Sequence, residues 1–210
     1  MENDELFEIP KEYLGNKRIE EDYISKESSA MATAISQALM SKDPSTQVGA
    51  CFLDKDGNIM SCGYNCPPKG WPDEEFTWDK PKEEEYNKYT YIVHAEMNAL
   101  FNYNGSIKDF KGSTAYVTFL PCPNCAKHLV QAGVKEVVYL AENNSNAFSK
   151  LSSSITKYIF KKCKVSYKKY DSINEDNINI MVFKMKTEDE KDLAFFEKKK
   201  KLNLKKDNNQ

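Results

Sequence analysis

Apolar side chains at Met31, Ile35, Ala38 and Leu39 recur at the spacing of one helical face, and Pro44 bars continuation, so the pattern predicts a first helix from about Ile24 to Met40. Val48 to Leu53 is a nearly unbroken apolar run, Asp54-Lys55-Asp56-Gly57 is a turn signal, and Ile59 to Tyr64 resumes extended character, which together predict a β-hairpin. Residues 66–90 carry Pro67, Pro68, Pro72 and Pro81 among many charges and two Trp. That stretch is too irregular for a core element and too long for an ordinary connection, so it is expected to be functional or disordered. Beyond it the pattern predicts a helix over Ala95 to Asn104, a buried strand over Ala115 to Leu120, a helix over Pro123 to Ala132 stopped by Gly133, and a strand over Glu136 to Leu140. Phe148, Leu151, Ile155, Tyr158 and Ile159 mark a further helix, and Cys163, Val165 and Tyr167 alternate with polar residues as a half-exposed strand does. Strands that cross over through helices imply a sheet covered on both faces.

The ends differ from this middle. Residues 1–23 hold eight acids against three bases without clear periodicity and read as an acidic arm. Residues 171–210 read as a C-terminal extension with a charged tail, including the run Lys198-Lys199-Lys200-Lys201, for which a solvated face is the plain explanation. The expected domain therefore spans 24–170. In 210 residues no apolar run approaches the roughly 18 needed for a membrane span. The N-terminal residues are acidic where a secretory signal needs basic charge, so a cytoplasmic protein is expected.

Charge narrows the partners. Thirty basic against thirty-two acidic residues leave a formal charge of −2, which supplies no general attraction to a nucleic-acid backbone. Arg18 is the one arginine, so bidentate clamping of a phosphate by guanidinium is nearly unavailable and lysines, hydroxyls or backbone N–H groups must serve. Six cysteines in a cytosolic chain with a tight Cys-x-x-Cys point to metal or redox chemistry rather than a disulfide framework.

Two segments carry the chemistry: Val93-His94-Ala95-Glu96 and Leu120-Pro121-Cys122-Pro123-Asn124-Cys125. A catalytic zinc takes three protein ligands and keeps the fourth position for water, and His94, Cys122 and Cys125 make three. Each segment sits where extended chain turns into a helix, where the helix dipole and open N–H groups favour thiolate over thiol. Glu96, two residues after His94, stands close to such a metal but angled away from it, as a proton carrier would. The alternative is a closed zinc site with a fourth ligand, or two buried thiols and a core histidine. His128, one turn past Cys125, reads as a surface histidine, and Cys51, Cys62 and Cys163, on predicted strands, as packed thiols.

His-x-Glu followed by Pro-Cys-x-x-Cys resembles the signature of zinc nucleobase deaminases. The chain resembles deoxycytidylate deaminases in particular, through Ser41-Lys42-Asp43-Pro44-Ser45-Thr46-Gln47-Val48-Gly49-Ala50, Gly63-Tyr64-Asn65, Lys88-Tyr89-Thr90-Tyr91, His94-Ala95-Glu96-Met97-Asn98-Ala99, Pro121 to Lys127 and Gln131 to Val137. The resemblance covers residues 24–170. It implies a three-layer α/β/α sandwich on a five-stranded mixed sheet and zinc-dependent hydrolysis of dCMP to dUMP and ammonia, the feeder reaction for thymidylate synthesis. It also implies a homohexamer with dCTP and dTTP as effectors, Mg²⁺ accompanying the nucleotides. By motif position Asn65 resembles the side chain that bonds the sugar or the pyrimidine carbonyl, Ala95 a backbone donor to the base, and Glu96 the proton shuttle. Ser41, Lys42, Ser45 and Lys88 are candidate phosphate contacts.

Two departures stand out. The family reads Gly-Tyr-Asn-Gly where this chain has Gly63-Tyr64-Asn65-Cys66, and a Tyr-His-Asp-Ser-like stretch is replaced by Glu142-Asn143-Asn144-Ser145-Asn146. A side chain in place of that last glycine obstructs close backbone approach and makes a positive φ costly, so dCTP activation is expected to be weakened. The competing functions are a tRNA adenosine deaminase, which would want a basic face, and a non-catalytic zinc-stapled binding module, in which Glu96 would have no purpose.

Overall fold

A computed structural model describes residues 24–170 and Gly15. The remainder of the acidic arm and the C-terminal extension lie outside the described residues. The chain forms α1 (Lys26–Ala38), β1 (Gly49–Leu53), β2 (Ile59–Tyr64), α2 (Ala95–Asn102), β3 (Thr114–Phe119), α3 (Pro123–Ala132), β4 (Glu136–Ala141), α4 (Ala147–Lys162) and β5 (Ser166–Lys169). The strands make one five-stranded sheet in the order β2-β1-β3-β4-β5. β1 is antiparallel to both β2 and β3, while β3, β4 and β5 run parallel.

Alternation along the strands splits the interior into two cores. Ala50, Phe52, Ala115, Val117 and Val137 meet α2, α3 and α4 on one face, through Ala95, Ala99, Leu129 and Phe160. Cys51, Leu53, Tyr116 and Val138 meet α1 on the other, through Met31, Ala34 and Ile35. The three-layer sandwich with a mixed sheet is therefore as expected. β1 is buried at every position, which is why it reads as a continuous apolar run rather than an alternating one. No described helix is long and apolar enough to cross a membrane.

Ser25 caps α1, accepting from the Ser28 N–H at 3.0 Å, and α1 stops at Ala38, leaving Leu39 exposed as its C-cap rather than buried on the stripe. α4 corrects a second expectation. Its apolar positions Phe148, Leu151, Ile155 and Tyr158 are exposed, and Ser153, Thr156 and Phe160 face the protein. α4 also runs on through Lys162, so Cys163 is an exposed helix cap instead of a packed strand thiol, and Lys164 takes a φ of 58° to redirect the chain into β5. Cys51 and Cys62 are register partners on β1 and β2, packed as expected.

The long segment after β2 is ordered. Cys66 and Val93 pair as an isolated antiparallel bridge, with N–H···O distances of 3.1 and 2.9 Å, and close the segment at its neck. Inside it Trp71 packs edge-on against Phe76 and tilted against Tyr91, with Phe76 also edge-on to Trp78. Short 3-10 turns at Asp73–Glu75, Glu84–Tyr86 and Lys88–Thr90 supply its local hydrogen bonds.

Close packing at Gly63 brings α2 onto β2. A Cβ there would stand 2.7 Å from the Ala95 carbonyl oxygen and closer still to the Ala99 nitrogen, both backbone atoms that cannot swing aside. Asn98 and Asn102, one turn apart on α2, donate to the carbonyls of Tyr64 (2.9 Å) and Cys62 (3.2 Å), and the Ser61 hydroxyl donates to Ala99. Gly63→Ala should therefore destabilise the domain by about 1–3 kcal/mol, the cost of overpacking a site that cannot relax. Urea unfolding checks this, and a variant as stable as the parent would show that α2 is not held at contact distance.

Candidate active site

β2 and β3 both run antiparallel to β1, so the chain leaves them at the same end of the sheet. The segment after β2 returns to that end to start α2, and α3 starts there directly after β3. Two helix N-termini thus converge. His94 is the N-cap of α2 and Cys122 the N-cap of α3, with Pro123 in the first position, where a missing N–H costs nothing. The His94 side chain does not cap the first-turn N–H groups of α2, because its ring turns elsewhere.

His94 Nδ1 lies 3.5 Å from Cys122 Sγ and 3.4 Å from Cys125 Sγ, and all three donor atoms fall within 4.8 Å of one another. A tetrahedral zinc with Zn–S of about 2.3 Å and Zn–N of about 2.0–2.1 Å sets the N···S edge near 3.5 Å, so the donors fit that ion in both chemistry and spacing. The Cys125 N–H points at Cys122 Sγ from 3.5 Å, and buried Thr156 of α4 donates to the Pro121 carbonyl at 2.8 Å, bracing the loop that presents both sulfurs.

Hydrogen bonding to Cys125, assisted by His94, holds the Cys122 thiol down at about 4 despite burial, and the same Cys122 contact lifts His94 to about 9. Cys125 is pushed up by its hydrogen bond to Cys122 and by burial. A thiolate facing an imidazolium is the pattern of donors that give up protons when a cation enters. Glu96 is 3% exposed, and burial raises its carboxyl above the ordinary range while His94's charge pulls it down.

The structure brings Asn65 to the same end. Cys66 pairs with Val93, so antiparallel register sets Asn65 opposite His94. Asn65 Oδ1 accepts from the Val48 N–H (2.8 Å), and its amide donates to Asp43 (3.3 Å) and the Thr46 carbonyl (3.0 Å), which leaves one acceptor lone pair free. Ala95 is fully buried in the first turn of α2, its N–H not taken by the His94 side chain.

The phosphate candidates divide. Lys88 is 0% exposed, and its ammonium is bonded to both Asp43 oxygens and, at 2.7 Å, to Ser45 Oγ. It has no exposed surface in this structure, and the motif shows a lysine but not the carboxylate that takes it. Ser45 donates its hydroxyl to Asp43 (2.9 Å), and Ser41 donates to the Asn65 carbonyl (2.8 Å). Lys42 is at the surface, paired with Asp73. His128 is exposed, its Nδ1 on the Asn124 carbonyl, as a surface histidine should be.

Asp43 is the residue sequence reasoning overlooked. Burial would raise its carboxyl, yet hydrogen bonds from Lys88 and from Ser45 hold it below the ordinary range. Its signal was present: Asp43, Ser45 and Thr46 have the spacing of an Asx turn, and Asp43 accepts from both following N–H groups at 2.8 and 3.1 Å.

A cavity of about 260 Å³ opens one turn along α2 from His94, lined by Lys42, Tyr64, Cys66, Trp71, Asn98 and Asn102 among others, and by none of the cluster residues. Cys66 has no positive φ, so the conformational cost expected from replacing glycine does not arise; its Sγ instead lies 3.4 Å from Asn98 Nδ2. The 142–146 stretch is turned to local work, Glu142 pairing with Lys157 at 2.8 Å and Asn146 capping α4.

The family described as cytidine and deoxycytidylate deaminase zinc-binding region matches residues 24–141. The chain is 37% identical over 163 residues to the deoxycytidylate deaminase of Mus musculus and 36% identical over 164 residues to that of Homo sapiens, covering 73% of this chain and 90% of each relative. Among solved structures it is similar to the dCMP deaminase of the cyanophage S-TIM5 in complex with dCMP and dUMP, at 28% identity and a TM-score of 0.54, covering 69% of this chain and 96% of that one.

Cys122→Ser and His94→Ala should each lose bound zinc, since neither a hydroxyl nor a methyl replaces the donor removed. Elemental analysis of the purified variants reads this, and retention of one equivalent would show the donor set to be wrong.

Proposed function

The chain belongs to the cytidine and deoxycytidylate deaminase family, and from that premise we propose that it hydrolyses dCMP to dUMP and ammonia, supplying dUMP for thymidylate synthesis. The observation that carries this reading is a buried carboxylate, Glu96, set against three donors spaced for a tetrahedral metal. His94, Cys122 and Cys125 would hold zinc, which when bound makes water acidic enough to ionise near neutral pH.

Glu96 moves the protons. It takes one from the attacking water as oxygen adds to C4 of the base and delivers it to ring N3. It then carries the proton of the new hydroxyl to the departing amine, so water and dCMP become dUMP and ammonia with no net proton change. A carrier must both accept and release, and the burial that raises Glu96 brings it toward the pH at which both are easy. The N–H of Ala95 donates to the base carbonyl. Asn65, with both its donors committed, accepts from a sugar hydroxyl through its free lone pair. Lys42 is the phosphate cation: an exposed ion pair such as Lys42–Asp73 is screened by solvent and contributes little, so a phosphate displaces Asp73 at little cost.

Homo-oligomeric assembly, as a hexamer, is part of the same proposal, supported by the exposed apolar side chains of Phe148, Leu151, Ile155 and Tyr158 along α4. So are dCTP and dTTP as effectors, with Mg²⁺ on their phosphates, and a cytoplasmic setting in which the thiolate ligands stay reduced. Cys66 puts a side chain where the family pattern has glycine, obstructing close approach of a triphosphate, so dCTP activation should be weak. A dCMP saturation curve that turns from sigmoidal to hyperbolic on adding dCTP and Mg²⁺ would refute that.

Glu96→Ala should lower turnover by a factor on the order of 10²–10⁴ while zinc stays bound. Retained activity would remove Glu96 from the role of proton carrier. Ammonia release from dCMP, deoxycytidine and a tRNA anticodon stem-loop, assayed side by side, should favour dCMP over deoxycytidine by about 10²-fold in kcat/KM, the scale of charge-assisted bonds to a phosphate. Lys42→Ala should raise KM for dCMP and leave deoxycytidine unchanged. Faster turnover of the stem-loop would move the protein to the tRNA adenosine deaminases.

A further inference from the structure

Asp43, Lys88 and Glu96 are the charged residues buried among the described ones, and the chemistry above uses only Glu96. Removing a carboxylate and an ammonium from water is costly, and well-packed apolar residues in place of such a pair are often as stable or more so. Stability alone is therefore a weak reason for the Asp43–Lys88 pair, and its surroundings supply a better one. Lys88 comes from the long segment between β2 and α2, and Asp43 from the loop between α1 and β1. Asp43 spends what Lys88 leaves on its own loop, through Ser45 and Thr46, and on the Asn65 amide at 3.3 Å.

That last contact sets an orientation. The Asn65 NH₂ is directed by two acceptors, Asp43 and the Thr46 carbonyl, so its Oδ1 must point the other way, toward the Val48 N–H. Without the Lys88 ammonium, Asp43 is left as an uncompensated buried charge that can be relieved by taking up a proton. A protonated Asp43 is partly a donor, and one of the two acceptors that hold the Asn65 amide is weakened or lost, leaving the Thr46 carbonyl alone.

We propose that Lys88 is a positioning residue: through Asp43 it helps hold the Asn65 amide in the place and orientation it presents to the nucleoside, so that affinity for the sugar depends on a lysine that never touches substrate. The proposal rests on the deaminase reading for its substrate, but its structural half can be read without turnover.

Lys88→Met should raise KM for dCMP and for deoxycytidine alike, on the order of tenfold, as expected when a buried polar group loses its partner. It should leave kcat within about threefold and zinc content unaltered. In an Asn65→Ala background the same substitution should change KM no further. The side-chain amide signals of Asn65, assigned by their absence in Asn65→Ala, should shift and lose protection from hydrogen exchange in Lys88→Met. If that variant does not fold, Lys88→Arg, which keeps a cation but alters its reach, is read by the same measurements. A KM rise confined to dCMP would make Lys88 a phosphate contact and overturn the proposal. So would an unchanged KM, a loss of kcat or zinc alone, an effect additive with Asn65→Ala, or unmoved Asn65 amide signals. Should the unaltered protein deaminate neither substrate, the deaminase reading fails, and the amide signals still decide whether Lys88 orients Asn65.

Discussion

Two helix starts must arrive at one point, and the rest of the molecule is arranged so that they do. His94 and Cys122 are both N-caps, and their donor atoms stand 3.5 Å apart. Side chains of that size bridge such a gap only if the helix ends are nearly in contact. α2 and α3 follow strands separated by β1, about 10 Å apart at ordinary strand spacing, which is close to the distance at which two helices pack. The antiparallel placement of β1 then puts both starts at the same end of the sheet. Gly63 allows α2 to sit down on β2, and the Cys66–Val93 bridge delivers the chain to His94 from a fixed direction.

Polar groups buried around this point brace it. Thr156 holds the Pro121 carbonyl, Asn98 holds Tyr64, and Ser61 holds Ala99. Each is a hydrogen bond between elements rather than within one, and in the interior a broken partner leaves a desolvated group whose cost exceeds the net gain of making the bond. Such bonds therefore resist displacement more than they add stability. They act as stops on the helices that carry the donors. The Asp43–Lys88 pair extends the same logic to charge, tying the long segment after β2 to the loop before β1.

The elements themselves were legible because their signals are local. Gly57 and Gly133 turn the chain where the pattern says they should, and the alternation of core faces along β1, β3 and β4 follows from a period of two. The donors were legible too, since His-x-Glu and Cys-x-x-Cys each lie within one helical turn. α4 shows where such reading stops. Phe148, Leu151, Ile155 and Tyr158 mark a helix by their spacing, but spacing cannot say which face turns inward, and the face that does so carries Ser153, Thr156 and Phe160. Cys163 was misplaced for a related reason, because its alternation with Val165 and Tyr167 outweighed the three further residues of helix before it.

What the sequence determined by itself is thus the order of elements, the sandwich they build and the residues able to hold zinc, all of which depend on neighbours a few positions away. What only the tertiary structure decided is the use of each polar side chain. Lys88 lies 45 residues from Asp43, and nothing in the order of residues distinguishes a lysine aimed at a phosphate from one enclosed with a carboxylate. The difference is one of solvation: an ammonium at the surface, such as that of Lys42, keeps its water and can exchange partners, whereas one that has lost its water stays with the acceptors folded around it. Burial belongs to the packed assembly, so the assembly alone assigns that role.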